Sequence, residues 1–199
     1  MTLVELLVAM SMMGIVMVVF SGVLVSMQRT VVAIDRASRA NDQARLAIEQ
    51  LDKELRSGNV ISDPGAAISG YTGGAPAYQR LLVYTQANAP TRGGSVCEMW
   101  QITNASELQV RTWLPGSDSW LTSWRTVAEH IVNRSTSTNA FALTGDPLKG
   151  NRTLNIHLMI NPDYTHAPSS TVEIKSSLTG RNTSYNYPTN ICQTLPTAA

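Results

Sequence analysis

The chain has 199 residues, a formal net charge of +1 and a hydrophobic fraction of 43%. This length accommodates one membrane segment and one modest domain with its own core. The nearly neutral charge gives no indication of nucleic acid or of an acidic membrane surface as a partner.

Residues 1–27 are apolar or small almost throughout. About 20 apolar residues in a helix match the hydrocarbon thickness of a bilayer, so this segment predicts a helix that can cross a membrane. A cleaved signal peptide would carry basic residues before its apolar core and a small-residue cleavage pattern after it, and the segment has neither. A plain membrane anchor is the alternative interpretation.

Glu5 is the single charge in this apolar segment. A charged side chain at membrane depth costs about 2.5 kcal/mol or more and normally has a partner. The next charge along the chain is Arg29, several turns away. We therefore expect Glu5 to pair with a terminal amine or with another molecule, and not within its own helix.

Residues 1–28 form the predicted transmembrane half of a long helix, and residues 29–57 form its predicted amphipathic continuation. Its apolar side chains recur at intervals of three and four and share one stripe: Ala37, Ala40, Ala44, Ile48, Leu51 and Leu55. Gly58 is a typical helix stop. In the apolar half, Gly14 and Gly22 each weaken the helix by about 1 kcal/mol relative to alanine.

Residues 58–199 predict a β-rich globular domain that begins with a long loop over 58–80. Short β-branched and aromatic runs predict strands at 81–86, 96–103, 108–114, 154–160 and 171–178, and the second and third of these form a hairpin. Residues 124–132 are ambiguous between a strand and a short helix. The predicted class is α+β: a long N-terminal helix with a protruding apolar half and an amphipathic half packed on an antiparallel sheet.

The globular part shows no pattern typical of catalysis. His130, His157 and His166 are scattered and lack metal-ligand spacing. No glycine-rich phosphate loop, nucleophile elbow or paired catalytic carboxylate is found in the sequence. We therefore expect no catalytic, cofactor or metal site, and no enzyme.

The segment from Thr2 to Val8, TLVELLV, resembles the mature N-terminus of type IV pilins and of the pseudopilins of type II secretion systems. In that family the mature chain begins with an aromatic residue. Threonine and leucine come next, then either isoleucine or valine, and then glutamate and leucine. Met1 replaces the usual phenylalanine, and Gly22 stands where many members have proline. The resemblance implies a processed chain whose short basic leader has been removed. The predicted β-rich domain resembles those of larger minor pilins and J-type pseudopilins.

Membership would imply a structural subunit, major or minor, of a type IV pilus-like filament that polymerises through its N-terminal helix. In the family, Glu5 meets the N-terminal amine of a neighbouring subunit, which here would be the methylated amine of Met1, and the helix loses helicity around Gly14 and Gly22. The implied partners are other pilin subunits, a prepilin peptidase and methylase, and a membrane assembly platform. The subunit would wait in the inner membrane and then enter a cell-surface filament.

Two alternatives stay open beside this interpretation. The same N-terminus suits a pseudopilin of a type II secretion system. A membrane-anchored or tip-located adhesin could instead bind a ligand through loops 65–77 or 133–139.

An exported domain with an even number of cysteines predicts a disulfide. Cys97 and Cys192 would then tie the C-terminal tail to a central strand. The alternative is a pair of buried free thiols. The absence of CxxC spacing disfavours a zinc site.

Overall fold

A computed structural model of the chain describes residues 2–68, 71, 74–144, 153–180, 188 and 190–197. Within these residues the elements are one helix and eight strands. They are α1 (Leu3–Arg56), β1 (Gly58–Ile61), β2 (Arg80–Thr85), β3 (Val96–Ile102), β4 (Leu108–Trp113), β5 (Arg125–Ala128), β6 (Phe141–Thr144), β7 (Thr153–Ile160) and β8 (Val172–Thr179). The predicted α+β class is confirmed.

The chain divides into two compact units, Met1–Arg39 and Ala40–Ala199. The division falls inside α1, which is continuous through Gly14 and Gly22. Every large apolar side chain from Leu3 to Ile34 is exposed, from 43% for Leu24 to 79% for Leu3. From Leu3 onward, the first unit therefore buries none of its large apolar side chains within the chain.

The described residues of the second unit form two antiparallel sheets. Strands β1 to β5 form a five-stranded sheet in sequence order, and β6 to β8 form a three-stranded sheet. The predicted hairpin is confirmed, since β3 pairs with β4 in a register that sets Cys97 opposite Trp113 and Ile102 opposite Leu108. The ambiguous segment 124–132 contains a strand, β5, which pairs with β4.

Two short strands were not predicted. β1 lies at the start of the segment predicted to be a loop, and β6 lies in a segment to which no element was assigned. Each has four residues, the shortest run in which an alternation of apolar and polar side chains can be recognised. They become strands because β2 and β7 offer them a hydrogen-bonding edge.

Alternate residues of the five-stranded sheet enter two separate cores. In β2, Leu81 and Val83 belong to a core that we call the helix-side core, whereas Leu82 and Tyr84 belong to the core on the other face. The helix-side core includes the buried face of α1 within the second unit: Ala40, Ala44, Ala47, Leu51 and Leu55. Because both faces of the sheet are covered, β2 and β3 are nearly continuous buried runs.

The three-stranded sheet contributes one face to the helix-side core. The predicted apolar face of β7 is confirmed, since Leu154, Ile156, Leu158 and Ile160 are all buried there. In β8 only Leu178 is buried. This exposure fits the position of β8 at the edge of its sheet.

Candidate functional site

The first turn of α1 is closed by a reciprocal pair of hydrogen bonds between Thr2 and Glu5. The backbone N–H of Thr2 donates to Oε2 of Glu5 at 2.8 Å, and the backbone N–H of Glu5 donates to Oγ1 of Thr2 at 3.4 Å. This arrangement is a capping box, in which a residue three positions into the helix satisfies the backbone of the capping residue.

The capping box corrects one expectation from the sequence. Glu5 has a hydrogen-bond partner at the start of its own helix, so the expectation that Glu5 does not pair within its own helix is wrong. The Thr-x-x-Glu spacing ahead of an apolar run is itself a capping-box signal and could have predicted this bond. A carboxylate has room for about four hydrogen bonds, so the bond from Thr2 leaves capacity for a cation. Met1, the other predicted assembly residue, lies outside the described residues.

An exposed apolar surface follows Glu5 and extends along α1 from Leu6 to Ile34. Monomeric proteins rarely expose contiguous apolar patches of more than a few hundred Å² without a binding role. α1 is long and apolar enough to cross a membrane by length and composition. The surface is therefore compatible with membrane anchoring.

A disulfide joins Cys97 to Cys192 across 95 residues of sequence, with the two Cα atoms 5.6 Å apart. Cys97 lies in β3, the middle strand of the five-stranded sheet. Both cysteines are buried beside Leu195 and Ile191, in the core on the face away from α1. The bond ties the C-terminal segment to a central strand as predicted, and the alternative of free thiols is excluded.

Two acidic side chains, Glu54 and Glu98, are buried in the second unit and were not singled out by sequence reasoning. We call them the acid pair; Glu54 is 1% exposed and Glu98 is 0% exposed. The spacing of apolar residues in the sequence indicates that both positions lie on buried faces. Glu54 follows Leu51 by three residues on the buried face of α1, and Glu98 shares its face of β3 with Trp100.

Four hydrogen bonds surround the acid pair. Glu54 accepts from Trp100 Nε1 at 2.8 Å and from Gln50 Nε2 at 2.7 Å. The side-chain amide of Asn88 donates to Oε1 of Glu54 at 3.4 Å and to Oε1 of Glu98 at 3.1 Å. The amide thus reaches both carboxyl groups, one from α1 and one from β3.

Burial and the neighbouring carboxyl group of Glu54 together raise the pKa of Glu98 to about 9. The bond from Asn88 and the charge of Arg125 act against this shift without cancelling it. At neutral pH the carboxyl group of Glu98 is therefore protonated.

The acid pair lies at a groove of about 660 Å³ in the second unit. The groove is lined by residues of α1, the loop between β2 and β3, strands β3 to β5 and the segment before β5: Gln50, Lys53, Glu54, Asn88, Glu98, Val110, Thr112, Leu121, Thr122, Ser123, Trp124 and Arg125. Among the described residues, no group of three or more histidine, cysteine, aspartate or glutamate side chains could hold a metal ion. Two of the histidines instead contact acids, His157 with Glu173 and His166 with Asp163.

The structure brings together the two loops that sequence reasoning proposed for an adhesin. Pro76 and Ala77 of the first loop and Ser135 and Asn139 of the second line one cavity of about 430 Å³. Arg134 joins them by donating to the backbone carbonyl oxygen of Gly74 at 3.0 Å. Residues 69, 70, 72 and 73 of the first loop lie outside the described residues.

Tyr71 in the first loop forms hydrogen bonds within the domain. Its hydroxyl donates to Gln101 Oε1 at 2.7 Å and accepts from the backbone N–H of Ala75 at 2.8 Å. Burial raises the pKa of this hydroxyl above its usual value. Asn133 in the second loop is buried, and its side-chain oxygen accepts a hydrogen bond from the backbone N–H of Met159. The hydrogen bonds of these two side chains stabilise the loops, so their polar groups are not available to bind a ligand.

A scan against protein-family models finds no match to this chain, and searches of curated proteins and of solved structures find none either. The architecture of an apolar N-terminal helix, antiparallel sheets and a disulfide is compatible with a type IV pilin fold.

Proposed function

We propose that this chain is a structural subunit, a pilin, of a type IV pilus-like filament and polymerises through the N-terminal part of α1. The observation that carries the proposal is the acidic side chain of Glu5 at the first turn of a helix whose large apolar side chains are exposed as far as Ile34. An apolar helix of this kind suits both a bilayer and a bundle of like helices. A lone carboxylate at its start would be costly in either setting without a cationic partner.

In the proposed mechanism, the subunit waits in the membrane and is then extracted into a helical polymer with the N-terminal helices at its core. Contacts of the head-to-tail kind, which repeat without closing, generate such a filament. The carboxylate of Glu5 meets the Met1 amine of a neighbouring subunit. Because a charge buried alone is far more costly than a charge buried with its opposite, this pairing selects one register between subunits.

Filament yield in variants of Glu5 tests the proposal. Glu5→Ala removes both the charge and the cap, whereas Glu5→Gln keeps a side chain that can close a capping box and removes only the charge. We expect both variants to remain in the membrane and to lose filaments. Asp42→Ala, which removes an exposed acid elsewhere on the same helix, is the matched control and should assemble normally.

The readout is the ratio of sheared or secreted filament to membrane-bound subunit, measured by immunoblot and electron microscopy. Normal filaments from Glu5→Gln would show that Glu5 acts only as a helix cap and would remove the charge-pairing mechanism. Normal filaments from both variants would remove the reason for assigning an assembly role to Glu5.

The second candidate within this superfamily is a pseudopilin of a type II secretion system, which would use the same N-terminal mechanism. Counting subunits in purified filaments by mass spectrometry separates a major from a minor subunit. Loss of an exported enzyme from the medium after deletion of the gene, with surface filaments intact, would favour the pseudopilin.

An adhesin is supported by one observation, the cavity that the loops containing Ala77 and Arg134 form together. Specific loss of surface attachment in Arg134→Ala cells that still carry normal filaments would favour this role. We propose no enzymatic activity and no cofactor for the chain.

A further inference from the structure

We infer that Glu54 and Glu98 share one buried proton and form a latch between the last turns of α1 and strand β3, and that this latch is strengthened by mild acid and weakened by alkali. The inference concerns the globular unit alone and does not depend on the proposed assembly role.

The first argument is the convergence of two carboxyl groups from different elements on one amide. The side-chain nitrogen of Asn88 is 3.4 Å from Oε1 of Glu54 and 3.1 Å from Oε1 of Glu98. Glu54 comes from the end of α1 and Glu98 from the middle of β3. Two carboxylates held so close would repel each other strongly in a buried site, and a shared proton removes that repulsion.

The second argument is the state of the other oxygen of Glu98. Among the described residues, Oε2 of Glu98 is buried and no N–H or O–H group donates to it. A charged oxygen buried without a donor would cost the full desolvation penalty of that group. With a proton on Glu98, the side chain can donate to the neighbouring carboxylate of Glu54, whose charge also favours the protonated form of Glu98.

The donors around the pair decide which carboxyl group keeps the charge. Glu54 accepts short hydrogen bonds from Trp100 Nε1 and Gln50 Nε2, and both stabilise its charged form. Glu98 accepts only the shared amide of Asn88 among the described donors. The proton therefore belongs on Glu98, and Glu54 remains the carboxylate.

Two cations face the same groove. Lys53 comes from α1 and Arg125 from β5. Arg125 donates to Gln50 Oε1 at 3.0 Å and favours the ionised form of Glu98 through its charge. The groove side chains from β4 and the segment before β5 are not titratable: Val110, Thr112, Leu121, Thr122, Ser123 and Trp124.

The sign of the pH effect follows from proton binding. The pKa of Glu98 is raised to about 9 in the folded chain, whereas an unfolded glutamate has a pKa of about 4.3. Between these values the folded state binds more protons than the unfolded state. The contribution of the latch to stability is therefore complete below the unfolded pKa and decreases as the pH rises towards the folded pKa.

Thermal unfolding of the full chain in detergent micelles, followed by circular dichroism from about pH 5 to about pH 9, tests the latch. We expect the Tm of the unsubstituted chain to fall by at least about 5 °C over this range. Glu98→Gln should flatten the dependence, because its amide can donate to Glu54 and has no proton to lose. Glu129→Gln neutralises an exposed acid and should leave the dependence unchanged. Equal slopes in the unsubstituted chain and Glu98→Gln would overturn the inference.

A second measurement covers the case in which Glu98→Gln does not fold. Carbon-13 NMR of the chain labelled at the glutamate side-chain carboxyl should show one carboxyl carbon that is protonated at neutral pH and titrates only in alkali. If every glutamate carboxyl is ionised at neutral pH, the shared proton does not exist and the latch is refuted.

Discussion

The indole N–H of Trp100 donates a hydrogen bond to Oε2 of Glu54 at 2.8 Å, and both side chains are buried. Trp100 lies in β3 and Glu54 lies two residues before the end of α1. A hydrogen bond to an ionised acceptor is roughly twice as strong as a neutral one. This bond therefore joins the central strand of the larger sheet to the last turn of the helix.

Removing this donor should destabilise the globular unit. Trp100→Phe leaves a ring in the core but withdraws the N–H from a buried carboxylate, so we expect a loss of about 3 kcal/mol or more in the free energy of unfolding. Urea unfolding followed by far-ultraviolet circular dichroism measures this loss.

Trp113→Phe is the matched control. Trp113 is also 0% exposed, but its Nε1 is buried without a hydrogen-bond partner in the described part of the chain. The same change in volume there breaks no hydrogen bond, so its cost should be only about 1 to 2 kcal/mol. Similar losses for the two variants would contradict a specific role for the bond between Trp100 and Glu54.

Opening the disulfide should also lower stability. In the chain-entropy account, a bond that closes a loop of this length contributes about 4 kcal/mol by restricting the unfolded chain. We expect urea unfolding to begin at a lower concentration in the presence of a reductant. The variant with both Cys97→Ala and Cys192→Ala should have this lower stability with or without reductant. A reductant effect that persists in the double variant would contradict the assignment.

Alanine at Gly14 and Gly22 should stabilise the helix of the isolated subunit. A Cβ atom at either position would meet no atom within 4 Å, and alanine favours a helix by about 1 kcal/mol per site. If assembly requires loss of helicity between these positions, the double variant should remain in the membrane and yield fewer filaments. Filament yield relative to the membrane pool measures this effect.

Ser21→Ala is the control for this prediction, since Ser21 is exposed and helical and its replacement gains less helix propensity than that of glycine. Normal filament yield from the Gly14→Ala, Gly22→Ala chain would reject the role of these glycines in assembly. Unbroken helix through both positions in a filament map would reject it independently.

Local periodicity was sufficient for most of the elements. The predicted stripe on the second half of α1 is buried at Ala40, Ala44, Leu51 and Leu55 and half-buried at Ala37 and Ile48. The five predicted strands each agree with an observed strand to within one residue at either end. These features depend on the repeat of the helix or strand itself, so each segment carries its own signal.

Local periodicity does not predict which distant segments of the chain contact each other. Periodicity places Glu54 on a buried helix face and Glu98 on a buried strand face, but it does not say that the two faces meet or that Asn88 reaches both acids. The strands β1 and β6 likewise exist because β2 and β7 lie beside them. The sequence by itself determined the apolar helix, its acidic start and most of the strands. Only the tertiary structure decided which buried groups became neighbours, because that depends on how whole elements dock and not on the spacing within any one of them.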